Sequence, residues 1–387
     1  MAHIVILGAG ISGLPMALEM RNVARPADRI TVVSSTATLQ FSPSNPQVAM
    51  NLSPRSDVEL PLAPLLQEKG IEFIPVGARR VHPEHNRVEL LDDRWVDYDY
   101  LIIATGPRAA PDEIPGTGPG GYVHSICGID DAALSGRDWL AFCADPGPVV
   151  IGVVQRASLF IPAYEFALLA DADLRRRGLR ERAPITFVTP EPYIGHLGMG
   201  GVGDSRAAIE TALLKRGIQW LCNARVTEVT QGAMRVMEVD EQGREKKPHE
   251  FPFKYSMLLP AFRGVDAVAD IDGLSNPRGF VLVDAQQRNP TYRNVFSVGA
   301  SIAYPSIEST PVPLGTPKSG FMIKPMVATA AANIRALLEG REPDQTTVWH
   351  ASDLTDFAEV GASFMNLLAA QPRADSPLYD RSVQEAG

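Results

Sequence analysis

A strand that runs directly into Gly-x-Gly-x-x-Gly leaves a chain few architectures. Ile4 to Leu7 is an apolar run of the kind that forms a buried parallel strand, and Gly8, Gly10 and Gly13 follow it. Gly8 permits the tight turn, Gly10 lets the backbone approach a pyrophosphate, and Gly13 lets the next helix pack closely on the strand. The helix from Ile11 to Arg21 aims its amide-rich N-terminus at the phosphates. Arg29 to Val33 reads as a second strand, completing the strand–helix–strand context that gives the glycines their meaning. The expectation is an α/β protein opening on a Rossmann-like dinucleotide-binding half.

Two later stretches narrow the choice of dinucleotide. Tyr98 to Ile103 is a strand ending in Ala104-Thr105-Gly106, and Asn294 to Val298 is a strand ending at Gly299. These marks resemble flavoproteins with two dinucleotide-binding domains, although Ala300 stands where an Asp often follows the glycine. The order implies FAD: an N-terminal half, an Ala-Thr-Gly crossing, an inserted domain, then a return to the first domain.

With 387 residues, two or three domains are expected. A net charge of −9 disfavours nucleic acid as a partner, and no apolar run approaches the ~18 residues of a membrane span. The first strand begins too early to leave room for a cleavable leader, so a cytoplasmic location is expected. Cys127, Cys143 and Cys222 are the only cysteines and fit neither a disulfide scaffold nor a metal site. Arg175, Arg176, Arg177 and Arg180 read as the solvated end of a helix.

Along the chain, Ser34 follows the second strand where many Rossmann domains place an acid for the ribose hydroxyls. Leu39 to Pro46, with Pro43 and Pro46, reads as a rigid loop near the flavin ring. Val58 to Gly70 reads as a helix with Asp57 as N-cap, Ile71 to Pro75 as a strand, and Val81 to Leu91 as a hairpin. Pro107 to Gly121 is a crossing linker. Pro148 to Val153 starts a second Rossmann-like half, but Gly152 is followed by Val153, Val154, Gln155 and Arg156 rather than a glycine turn. That argues against a nicotinamide dinucleotide in this half. Helices are expected over Pro162 to Arg177, Asp204 to Arg216 and Gly320 to Leu338. Strands are expected over Ile185 to Thr189, Ile218 to Cys222 and Phe280 to Val283, with a meander over Arg225 to Val239 and Glu250 to Leu259. The tail beyond Pro372 is expected to be disordered. The predicted division is 1–110 and 285–340 for the FAD-binding domain, 111–284 for the second Rossmann-like domain, and 341–387 for a C-terminal segment.

The chain resembles the sulfide:quinone oxidoreductases, relatives of flavocytochrome c sulfide dehydrogenase and type II NADH dehydrogenase. Besides the glycine turn, the matching stretches are Phe41 to Pro46, Ile103 to Pro107, Ser125 to Cys127, Pro162 to Glu165, Glu191 to Gly198, Gly201 to Ser205, Thr310 to Pro313 and Pro317 to Ile323. The resemblance implies two Rossmann-like domains of the flavoprotein disulfide reductase type, the first of them discontinuous, with FAD as cofactor. It implies FAD contacts from Gly8, Gly10, Gly13, Ser34, Pro43, Ala104, Thr105, Gly106, Gly299, Lys318 and Gly320. The family oxidises sulfide through a pair of redox cysteines on one face of the flavin and reduces quinone on the other. Here the first of that pair falls on Leu159 and the second on Asp353, and no cysteine follows Cys222. The family's C-terminal amphipathic foot also has no counterpart in Ala374 to Gly387, so no strong membrane anchor is expected.

Several residues remain to carry chemistry. Lys318 is the cation that would stabilise an anionic reduced ring. Cys127 matches the family's third cysteine: a nucleophile, a persulfide carrier, a covalent tether to the flavin methyl group, or a buried apolar residue. Glu165 and His196 would move protons or hold their own turns. Asp353 would act as a base or is a plain surface carboxylate. Two functions follow. One is an FAD oxidoreductase that oxidises a sulfur species or another small reductant without a disulfide relay and passes electrons to quinone or a protein acceptor. The other is a degenerate redox sensor or persulfide carrier using Cys127. No metal is expected, and oligomerisation is left open.

Overall fold

The computed structural model describes residues 1–201, 203–304, 306, 308–317, 320–347, 350–356 and 361–367. Its first sheet is parallel and five-stranded, in the spatial order Val295–Ser297, Tyr100–Ile103, His3–Leu7, Arg29–Val33, Glu72–Ile74. The strand His3–Leu7 is buried along Ile4 to Leu7, as a parallel strand covered on both faces must be. The helices Gly13–Val23 and Gly320–Leu338 cover the sheet, sharing a core that includes Met16, Met20, Met326 and Ile334. The chain leaves this sheet after Ile103 and regains it at Val295, so the first Rossmann-like unit is discontinuous.

The second sheet is also parallel, ordered Gln219–Leu221, Ile185–Val188, Val149–Val153, Tyr255–Leu259. The helix Ile161–Arg176 lies on it, buried over most of its length, with Pro162 in its first turn. Three antiparallel strands, Ala224–Thr230, Ala233–Val239 and Glu245–Pro252, form a separate ribbon.

Several expectations are corrected. No helix spans Val58 to Gly70: Glu59–Pro61 is a short strand paired with Thr38–Gln40, and the helix runs only over Leu62–Glu68. Pro61 and Pro64 explain the retreat, because Pro is tolerated only in a helix's first turn. The segment after Gln40 is not a plain loop. Ser42–Ser44 is a 3-10 turn leading into the helix Asn45–Ala49. Tyr255–Leu259 leaves the meander to pair with Val149–Val153, because all five of its residues are buried. Phe280 to Val283 makes only isolated bridges through Val281. The helix Ile129–Ala144, the strand Trp95–Asp97 and the hairpin of His350–Asp356 with Gly361–Leu367 were not anticipated. The Arg175–Arg180 cluster is the exposed helix end expected, and it is also ion-paired: Asp171 binds Arg175 and Arg180, while Asp173 binds Arg176 and Arg177. The tail expected to be disordered lies outside the described residues.

Candidate active site

Three glycines place the first part of the site. Gly8 has φ +96°, and a Cβ there would lie 2.4 Å from the Ala104 carbonyl oxygen. At Gly13 a Cβ would lie 2.0 Å from the Gly8 carbonyl oxygen. Both glycines are therefore required by close backbone approach. Gly10 differs: a Cβ there meets nothing within 4 Å, so its glycine leaves open space beside the start of the helix. Leu14 N–H donates to the Gly10 carbonyl and Met16 N–H to the Ser12 carbonyl. The preceding amides are those a helix N-terminus leaves for an anion.

Of the other expected cofactor contacts, Ala104, Thr105, Gly299 and Ser34 lie around this turn. Thr105 and Gly106 follow the neighbouring strand, with Gly106 at φ +65° and open space beside it. Gly299 abuts Ser12, where a Cβ would lie 2.5 Å from the hydroxyl, and its N–H donates to Met326 Sδ at 3.2 Å. Ser34 is buried at the end of Arg29–Val33, its Oγ accepting from the Thr36 N–H at 3.3 Å. Pro43 is exposed in its 3-10 turn, and Gly320 opens the helix Gly320–Leu338. Lys318 lies outside the described residues. The open cradle at Gly10, between a parallel strand and a helix N-terminus, fits the pyrophosphate of a dinucleotide.

The second part of the site is assembled by the short helix Asn45–Ala49. Asn45 Nδ2 donates to the carbonyls of Ile126 at 2.8 Å and Cys127 at 3.3 Å. Two residues on, Gln47 Nε2 donates to Glu165 Oε1 at 2.5 Å. One helix thus ties Cys127 to Glu165, which sits buried in the first turns of Ile161–Arg176. The Cys127 residue keeps some solvent contact, yet it sits deep enough that burial pushes its thiol up to about 12, against a hydrogen bond with Ser125 that favours the thiolate. The thiol is therefore the resting form. Alkylation of Cys127 at pH 8 is expected to run at least about tenfold slower than that of a free thiol. Peptide mass mapping over time checks this, and labelling at the free-thiol rate would contradict it.

Leu159 is half-buried just ahead of Ile161–Arg176 and packs into the second domain's apolar core. Three loops converge beside it. Arg156 N–H donates to the Pro313 carbonyl at 2.7 Å, Gly315 N–H donates to the Ala157 carbonyl at 2.8 Å, and a Cβ at Gly198 would lie 2.9 Å from the Phe160 ring. The third loop carries His196. Gly198 N–H donates to His196 Nδ1 at 3.1 Å, so the ring proton is assigned to Nε2, which donates to Glu308 Oε1 at 2.5 Å. His196 is 1% exposed and burial lowers its pKa, against the pull of Glu308. It is held neutral, while the Glu308 side chain is 48% exposed and opens the pair to solvent. Asp353 lies in the strand His350–Asp356, opposite Phe364, and that strand packs near the helices Ile161–Arg176 and Gly320–Leu338.

Two acids at this site were not singled out from the sequence. Glu308 meets His196 across 112 residues, a contact no local pattern announces. Glu191 is fully buried and accepts from Tyr164 Oη at 2.5 Å, Thr189 Oγ1 at 2.7 Å and Leu197 N–H at 2.7 Å. It pins the loop that carries His196. Burial raises its carboxyl from 4.5 to about 7, although its hydrogen bonds pull the other way. A carboxyl that binds its proton more tightly when folded stabilises most below pH 4.5 and loses that contribution as pH rises through about 7. Glu191→Gln should therefore lower stability by about 1–3 kcal/mol at low pH, a gap that narrows as the pH rises. Thermal unfolding at saturating FAD across this range checks it, and a gap that widens with pH would contradict it.

The comparisons with known proteins agree with this geometry. A family model described as pyridine nucleotide-disulphide oxidoreductase matches residues 2–141. The sulfide-quinone reductase of Aquifex aeolicus is 37% identical over 373 residues, covering 96% of this chain and 85% of that protein. The chain belongs to the sulfide:quinone oxidoreductase family. The X-ray structure of the Aquifex aeolicus enzyme superposes with a TM-score of 0.91 at 36% identity, over 96% of this chain and 85% of that one. The mitochondrial sulfide:quinone oxidoreductase of Dictyostelium discoideum is 25% identical over 320 residues, 78% of this chain and 66% of that protein. NDH2 from Plasmodium falciparum, solved with NADH, shares the fold at a TM-score of 0.72 and 14% identity, over 96% of this chain and 91% of that one. As a member of this sulfide:quinone oxidoreductase family, the chain is an FAD-dependent oxidoreductase.

Proposed function

We propose that this protein oxidises a sulfur species, or another small reductant, without an intramolecular disulfide relay, and delivers the electrons to quinone or a protein acceptor. The observation that carries the reading is Leu159, which the resemblance sets in the place of the first redox cysteine ahead of Ile161–Arg176, while no cysteine follows Cys222 to serve as the second. Cys143 cannot substitute, because it lies in the last turns of Ile129–Ala144, roughly 20 Å of helix from Cys127. Cys222 follows the outermost strand of the second sheet.

FAD would be held by Gly8, Gly10, Gly13, Ser34, Pro43, Ala104, Thr105, Gly106, Gly299, Gly320 and Lys318, and would supply the two-electron redox step. With no thiol pair to carry oxidised sulfur, a second substrate takes that part: 2 HS⁻ → HS₂⁻ + H⁺ + 2 e⁻. Glu165 receives the proton, and the His196–Glu308 pair conducts it outward through the exposed Glu308 carboxylate. Asp353, on the strand near both helices, is a further acid in this reading. A cytoplasmic location goes with this reading. Residues 1–110 and 285–340 form its FAD-binding unit, and 111–284 the second domain. The competing reading, a persulfide carrier or sensor on Cys127, requires a reactive thiolate, and the buried thiol disfavours it.

Anaerobic titration of the FAD-loaded protein with sulfide, a persulfide and a thiol tests the proposal. Loss of oxidised-flavin absorbance with at least one sulfur donor, and its recovery with a soluble quinone, is the expected result. Absorbance that survives every donor would leave the sensor reading in its place. Among the described residues no helix is long and apolar enough to cross a membrane.

A further inference from the structure

The second sheet has its own switch point. From Val149–Val153 the chain proceeds to Ile185–Val188 on one side, while Tyr255–Leu259 pairs on the other. In an open parallel sheet, the crevice beyond the carboxyl ends of two such strands is where ligands bind. Here that crevice is a cavity of about 300 Å³, lined by Val154, Gln155, Arg156, Ala261, Arg263 and Glu113.

Its chemistry is cationic. Arg156 is exposed with φ +60°, a left-handed conformation that a non-glycine residue seldom keeps without a constraint. The constraint is its own N–H, which donates to the Pro313 carbonyl. The Arg156 guanidinium makes no hydrogen bond or ion pair with the protein among the described residues. Arg263 and Arg278 both bind the single carboxylate of Glu113, at 2.7 and 3.0 Å. Of the charged groups lining the cleft, the guanidiniums of Arg156 and Arg263 outnumber the Glu113 carboxylate, which is itself tied to Arg263 and Arg278.

Its shape excludes a dinucleotide. The glycine at 152 serves strand packing, since a Cβ there would lie 1.9 Å from the Val188 carbonyl oxygen. The segment after it is laced to residues 313–315, not turned over a phosphate. The Gln155 side chain is spent on the Val226 backbone, donating to its carbonyl at 3.0 Å and accepting its N–H at 3.1 Å.

We propose that this cleft binds a compact oxyanion, such as inorganic sulfate or phosphate or the same group at the end of a small molecule, with Arg156 as the principal ligand. A guanidinium offers two parallel N–H donors to such an anion, the geometry of strong oxyanion recognition. The proposal does not depend on the donor proposed above.

Calorimetric titration of the FAD-loaded protein with sodium sulfate, sodium phosphate and glycerol phosphate tests it, with sodium chloride holding ionic strength constant. Saturable one-to-one binding is expected. It should weaken at least about tenfold in Arg156→Gln, with flavin absorbance and unfolding temperature in chloride unchanged. Arg156→Lys, which keeps the charge but not the fork, should fall between the two and serves if the Gln variant folds poorly. Tighter binding of glycerol phosphate would assign an esterified source, and tighter binding of the inorganic ions a free one. No saturable heat with any probe, or equal affinity in wild type and Arg156→Gln, would overturn the proposal. So would NADH binding that displaces the oxyanion with higher affinity.

Discussion

Gly10→Val yields a folded protein that carries no FAD. The two halves of that expectation come from one observation: a Cβ at Gly10 meets no protein atom within 4 Å. The added side chain has room in the protein and occupies the path of the pyrophosphate instead. Gly13→Val is the contrasting variant. Its Cβ would lie 2.0 Å from the Gly8 carbonyl oxygen, so strand and helix must separate and the first domain fails to fold. Gly10→Val should purify colourless and match cofactor-stripped wild type in unfolding temperature. It should lack the stabilisation by added FAD that wild type gains, about 2.7 kcal/mol at a hundredfold excess over Kd. A yellow Gly10→Val protein with FAD in stoichiometric amount would contradict the placement of the cofactor.

NADH and NADPH reduce the flavin at least about a hundredfold more slowly than the effective sulfur donor, a difference of roughly 2.7 kcal/mol in transition-state stabilisation. The physical reason lies at the carboxyl end of Val149–Val153. Val154 is buried, Arg156 is tied to Pro313, and the cleft of about 300 Å³ has no glycine turn to admit a pyrophosphate. Stopped-flow mixing under nitrogen measures this. Rapid stoichiometric reduction by either nucleotide would show that the second domain binds it in another way.

What the sequence made legible was steric and local. Gly8 and Gly13 answer demands of close backbone approach and Gly10 leaves space open, so the first strand, turn and helix stood out without a structure. The long helices Ile161–Arg176 and Gly320–Leu338 were legible because their apolar residues recur over many turns. Ile129–Ala144 was not, because Ser135 and Gly136 weaken its helical pattern. Gly136 is there for packing: a Cβ would lie 3.0 Å from the Val48 carbonyl oxygen of the facing helix. That contact brings Asn45 and Gln47 to Cys127 and Glu165, a long-range arrangement invisible to local propensity. The same holds for Glu308 and for Glu191, whose partners Tyr164 and Leu197 come from different elements. Packing decides which side chains within the family's stretches touch.

The claim that most distinguishes this protein is that electrons reach its flavin with no cysteine pair in between. Thiol counting during reduction tests it directly. FAD-loaded protein is mixed anaerobically with the effective sulfur donor, quenched with an alkylating agent under denaturing conditions while the flavin is being reduced, and mapped by peptide mass. Cys127, Cys143 and Cys222 are each expected to be recovered alkylated, or with added sulfur on one of them, at every stage of flavin reduction. Two of these cysteines recovered joined to each other, in proportion to the flavin reduced, would contradict it.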